Sequence, residues 1–166
     1  MKFTSSLKLK LIYIFRINDN AHKGCLKIGE TTCNDEAVFG LAPNSKPLNA
    51  AAKKRINEYT QTAGINYDLL YTEMTIYNKG GLRSFNDKEV HEVLIRSGIK
   101  RKIFDKDNKA NEWFYTDLET AKKAIAAVKE GRASLNISEI SHNKVPIIFR
   151  PEQQDAIDKT KKQFKK

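Results

Sequence analysis

The run Leu9-Lys10-Leu11-Ile12-Tyr13-Ile14-Phe15-Arg16-Ile17 is crowded with β-branched and aromatic residues and stops at the turn cluster Asn18-Asp19-Asn20. A segment of that kind is a strand. After His22-Lys23-Gly24, the stretch Cys25-Leu26-Lys27-Ile28-Gly29-Glu30 has the length of an antiparallel partner, so the chain opens on a hairpin-like pair. Residues 31–47 carry Gly40, Pro43 and Pro47 with little periodicity and read as a loop.

Helical signals follow. Ala50, Ala51 and Ala52, then Ile56 and Tyr59, predict a helix from about Leu48 to Gly64. Tyr67 to Tyr77 is β-rich and predicts a third strand, broken by Asn78-Lys79-Gly80-Gly81. Asn86 is a candidate N-cap, Asp87 and Glu89 suit the first turn of a second helix, and Gly98 follows its last turn. Beyond a charged loop, Lys100 to Lys109, Glu112-Trp113-Phe114-Tyr115 reads as a brief aromatic strand or turn, with Trp113 and Phe114 as core anchors. Asp117 or Thr116 then caps a third helix that Gly131 closes. The elements describe a small α+β domain: an antiparallel three-stranded sheet flanked by helices.

A chain of 166 residues accommodates one such domain and a short appendage. We place the domain at residues 1–131. Residues 132–166 then form a linker followed by a last amphipathic helix, Pro151 to Phe164, either packed on the domain or opening a following one. Mean hydropathy of -0.58 and the lack of a long uncharged apolar run argue against a membrane span. Two cysteines make no disulfide framework, which leaves the reducing cytoplasm as the expected compartment. The balance of 30 Lys+Arg against 20 Asp+Glu, a net charge of +10, favours a polyanionic partner.

Several chemistries drop out. Cys25 and Cys33 are too far apart for a zinc knuckle, and His22, His91 and His142 show neither zinc-protease nor zinc-finger spacing. Neither a phosphate-cradling glycine motif nor a nucleophile-elbow serine is present. What remains is a set of Tyr, Lys, Arg and acidic residues: Tyr13 and Lys27 on the two opening strands, Arg55 and Tyr59 one turn apart, and Asp87 and His91 one turn apart.

In that order these residues resemble the GIY-YIG nuclease family over most of residues 9–130. Leu11-Ile12-Tyr13 stands where the family has Gly-Ile-Tyr, and Lys27-Ile28-Gly29 where it has Tyr-Ile-Gly. Asp87-Lys88-Glu89-Val90-His91, followed by Glu112-Trp113-Phe114, is similar to the phage T5-type branch. The resemblance implies a DNA endonuclease dependent on Mg²⁺ or Mn²⁺. Tyr13 would activate or orient the water, Arg55 would clamp the phosphate, and Tyr59 would add a second hydroxyl at the scissile group. Lys27, replacing the second signature tyrosine, would lower the pKa of Tyr13 or contact phosphate. His91 joins the catalytic set or serves the core. The family's metal carboxylate is usually Glu; here Asp87 and Glu89 are the candidates, with Glu92 competing. The alternative is a catalytically weak DNA-binding module on the same fold. Finally, Phe149-Arg150-Pro151-Glu152-Gln153-Gln154-Asp155-Ala156-Ile157 resembles the start of superfamily 2 helicase or restriction-translocase domains. That implies a longer DNA enzyme, with a helicase or ATPase domain following covalently and double-stranded DNA as partner.

Overall fold

A computed structural model describes residues 9–33, 40–104 and 110–140 of the protein. The opening pair forms as expected: β1 (Lys10–Arg16) lies antiparallel to β2 (Cys25–Thr32), with Tyr13 opposite Gly29 and Phe15 opposite Lys27. β1 also pairs with β3 (Asp68–Met74), which makes it a central strand. Its uninterrupted apolar run is explained by that position, because both of its faces are covered. Leu11, Tyr13 and Phe15 pack with Leu48, Ala52 and Ile56 of α1 (Lys46–Thr60). Ile12 and Ile14 pack on the other face, among Val90, Val93 and Leu94 of α2 (Asp87–Arg96) and Ala121, Ala124 and Ile125 of α3 (Leu118–Lys129).

The expected three-stranded sheet has four strands. Trp113–Tyr115 forms a fourth and, numbered after the hairpin described next, is β6; the sheet order is β3-β1-β2-β6. Alternation along this short edge strand sends Trp113 to the α1 side, edge-on to Phe15 at 5.5 Å between ring centres. Phe114 goes to the α2 side, 5.0 Å from the His91 ring. Both are buried, as core anchors.

The β-rich stretch from Tyr67 to Tyr77 is not one strand. At Thr75 the backbone N–H and the hydroxyl both donate to the Lys10 carbonyl, and the Thr75 carbonyl accepts from Phe85. The chain leaves the sheet there as β4 (Ile76–Asn78), which forms a hairpin with β5 (Leu82–Ser84) across Gly80 and Gly81.

Caps set the later helices as the sequence predicts. Asn86 Oδ1 accepts from the Glu89 N–H at 2.9 Å and Asp117 Oδ1 from the Thr120 N–H at 2.7 Å. Gly98, at φ 85°, supplies the left-handed residue that ends α2. Helix α1 begins two residues before Leu48, with Pro47 in its first turn, where a missing N–H costs nothing. Cys25 and Cys33 are free and buried. Among the described residues no helix is long and apolar enough to cross a membrane. The amphipathic segment Pro151 to Phe164 and the helicase-like stretch 149–157 lie outside the described residues.

Candidate active site

The site forms where β6 stops. β6 pairs with β2 only over Cys25, Leu26 and Lys27, and the Ile28 N–H then donates to the Glu112 carbonyl at 3.0 Å. Beyond that point the edge of β2, from Gly29 onward, has no strand beside it among the described residues. Side chains from both faces of the sheet meet at this bare edge.

Tyr13 reaches it from the α1 face. Its cross-strand partner is Gly29, and the ring lies over the space that a side chain there would fill. A Cβ on Gly29 would sit 2.8 Å from the Tyr13 hydroxyl oxygen and 2.9 Å from Cζ. This close approach, rather than any special backbone angle, is what position 29 requires. The Tyr13 hydroxyl lies close to that of Tyr59, which projects from α1, near enough for each to affect the other's ionisation. Lys27 Nζ donates to the Tyr59 hydroxyl at 3.0 Å and lies 4.2 Å from that ring's centre. Lys27 also faces Glu112, with 3.7 Å between Nζ and Oε2. Arg55, one turn before Tyr59, stands at the exposed rim, 5.9 Å from the Tyr59 ring centre and paired with Glu58 at 2.8 Å. Tyr13, Lys27, Arg55 and Tyr59 are thus together on one side of the sheet.

Burial dominates the electrostatics of this group. It pushes the Tyr13 hydroxyl above its ordinary value; the neighbouring Tyr59 hydroxyl opposes it, Glu112 adds to it and Arg55 opposes it. Burial, and then the Tyr13 oxygen beside it, pushes Tyr59 much further up. Lys27 is pushed down by burial, against the pull of Glu112. Lys27 thus meets Tyr59 and not Tyr13, and the expectation that it lowers the Tyr13 pKa is corrected: burial raises both phenols.

Helix α2 brings the second group from the opposite face. Its first residue, Asp87, is 7% exposed, and its backbone N–H donates to Glu30 Oε2 at 3.2 Å. Burial, reinforced by Glu30 and Glu112, pushes the Asp87 carboxyl up to about 6. One turn on, His91 is buried and its Nε2 bonds the Ile28 carbonyl at 2.7 Å, so Nε2 carries the proton. Burial also lowers its pKa, which favours the neutral ring. Asp87, His91 and Glu112 line one cleft of about 240 Å³. The field of Asp87 reaches both Tyr13 and Lys27, which joins the two groups electrostatically.

Glu89 lies about 200° around α2 from Asp87; it is exposed, and its backbone N–H serves the Asn86 cap. Glu92 pairs with Arg96 at 3.1 Å on the helix exterior, though it reaches the rim of the cleft. Of the helix acids, Asp87 is the buried one. Two carboxylates that sequence reasoning gave no role, Glu30 and Glu112, complete the surroundings. Glu112 stands directly before the aromatic pair, but its position opposite Ile28 depends on the β6 pairing. Among the described residues no group of three or more His, Cys, Asp or Glu is arranged to hold a metal ion.

No family model matches the chain, and neither a curated protein nor a solved structure matches it.

Proposed function

We propose that the chain is a DNA endonuclease domain that hydrolyses phosphodiester bonds with one divalent cation. The observation that carries this reading is the convergence of Tyr13, Tyr59 and Lys27 where β6 stops, with Lys27 donating to Tyr59 and facing Glu112, which lines the Asp87 cleft. Phosphodiester hydrolysis needs a positioned water, cations on the non-bridging oxygens, and charge stabilisation at the leaving oxygen.

Tyr13 accepts the hydrogen bond of the attacking water. Tyr59 stands beside that phenol, and Lys27 donates to Tyr59, which brings a cationic donor next to the pair. Arg55, at the rim, turns from Glu58 to the phosphate, where a planar guanidinium suits two oxygens at once. His91, held through Nε2 by the Ile28 carbonyl, keeps α2 seated on β2, so we give it a positioning role.

Two carboxylates, Asp87 and Glu112, line the cleft, and oxygen donors of this kind suit a hard cation that keeps most of its waters. Burial first, and then the charges of Glu30 and Glu112, raise the Asp87 carboxyl, and a bound cation would offset both. Asp87, with Glu112 beside it, would hold Mg²⁺ or Mn²⁺, and water would fill the remaining positions, as Mg²⁺ favours. Such an ion supplies Lewis-acid stabilisation of the leaving oxygen. The further proposal, that this domain belongs to a helicase or restriction-type protein acting on double-stranded DNA, rests on the sequence resemblance alone.

The test is nicking of supercoiled plasmid with Mg²⁺ or Mn²⁺. Tyr13→Phe and Arg55→Ala should each lower the rate by about 10²–10⁴. Equal nicking by wild type and both variants would overturn the assignment. One observation favours the DNA-binding alternative: the Glu58 ion pair occupies Arg55. Tight duplex binding with no metal-dependent nicking would select it.

A further inference from the structure

The cleft on the α2 side holds a cation that the proposed chemistry has not used. Arg101 lines it together with Asp87, His91 and Glu112. Its backbone is fixed along the outer edge of β6. Arg101 bridges to Phe114, the Lys102 N–H donates to the Trp113 carbonyl at 2.8 Å, and the Tyr115 N–H donates to the Lys100 carbonyl at 2.9 Å. The guanidinium is held 5.3 Å from the centre of the buried Phe114 ring, which sets its plane and limits its rotamers. Its Nε is buried and has no hydrogen-bond partner among the described residues, and no described carboxylate lies within ion-pair distance of it. Glu92, on the same cleft, is taken by Arg96.

A guanidinium stays charged at any working pH. A half-buried guanidinium that lines an open cleft, with no carboxylate partner among the described residues, gains charge pairing when an anion enters the cleft. Arg101 also lies on the far side of the site from Arg55, which belongs to the α1 rim. Resting on the nuclease reading, we infer that Arg101 contacts a backbone phosphate of the nucleic acid on the Asp87 side of the site. Arg55 and Arg101 would then grip the strand from both faces of the sheet edge. Phosphate contacts of this kind set register and carry no base information, so the contact serves any duplex sequence.

The experiment is binding of a short fluorescent DNA duplex by the full chain, with Ca²⁺ in place of Mg²⁺, over a range of salt concentrations. Arg101→Gln should weaken binding several-fold and reduce the slope of log K against log[salt] by about one. Arg101→Lys should keep the slope while losing part of the affinity. Lys122→Gln, on α3 over the Tyr71 ring, is the control and should change neither. Should Arg101→Gln fail to fold, the Arg Nε–H resonances of wild type decide the matter, assigned through Arg101→Lys. The Arg101 signal should shift on adding duplex. An unchanged slope in a folded Arg101→Gln, or a stationary Arg101 resonance, overturns the inference. Because no cleavage is measured, a chain that never nicks DNA but shows these shifts would refute the nuclease reading and leave the phosphate contact standing.

Discussion

Replacing Asp87 by Asn should make the protein more stable at alkaline pH and inactive as a nuclease. Asp87 is 7% exposed, and burial with Glu30 and Glu112 nearby moves its carboxyl from the ordinary 3.8 to about 6. A carboxyl raised on folding favours the protonated form. Its contribution is therefore fully present below 3.8 and is lost as pH rises through about 6. At pH 8 the ionised group costs about 3 kcal/mol, at about 1.4 kcal/mol per tenfold change in affinity for the proton. Asn carries no such cost, but it forfeits about 0.3–1 kcal/mol of attraction between an acid and the N-terminus of α2. The net expectation is a gain of about 2 kcal/mol at pH 8, at least halved near pH 4.5. Urea unfolding at the two pH values measures it, provided the slope with denaturant is unchanged. Mg²⁺ should raise the melting temperature of wild type and leave that of Asp87→Asn where it was. A variant less stable than wild type at pH 8, or a gain that does not shrink on acidification, would show that Asp87 is a helix-start acid and nothing more.

Gly29→Ala places a methyl against the Tyr13 hydroxyl. The Tyr13 side chain should give way at a cost of about 1–2 kcal/mol, while cleavage falls by about 10² because the hydroxyl is displaced; paired melting and nicking measurements separate the two effects. Glu58→Gln frees Arg55 from an exposed ion pair, so stability should stay within about 0.5 kcal/mol and duplex affinity should rise, read by anisotropy. Phe114→Ala removes a fully buried ring that also seats His91 and Arg101, and should cost about 3–5 kcal/mol in urea unfolding.

Much of this architecture is legible in the chain because its signals are local. β-branched runs mark β1 and β2, Asn86 and Asp117 announce their helices by their own side chains, and helical spacing puts Arg55 with Tyr59 and Asp87 with His91. Those same signals place Tyr13, Lys27, Arg55 and Tyr59 on elements able to converge, though not their contacts. Other features have no local signature. The break at Thr75 depends on a hydrogen bond to Lys10, and the fourth strand depends on residues 113–115 finding residues 25–27. A three-residue strand has too little pattern of its own to be told from a turn.

Local pattern and residue order are enough to read the α+β class of the fold, the ordered set of tyrosine, lysine, arginine and acid, and the net charge of +10. The packing of distant elements sets where β6 stops, which leaves β2 from Gly29 onward with no strand on that side among the described residues, and it makes Gly29 the space for Tyr13. It alone selected Asp87 as the buried helix acid and brought Glu30, Glu112 and Arg101 to the same place. The physical reason is that spacing and caps act within one element, whereas charge crowding and an unsatisfied donor depend on which distant elements pack together.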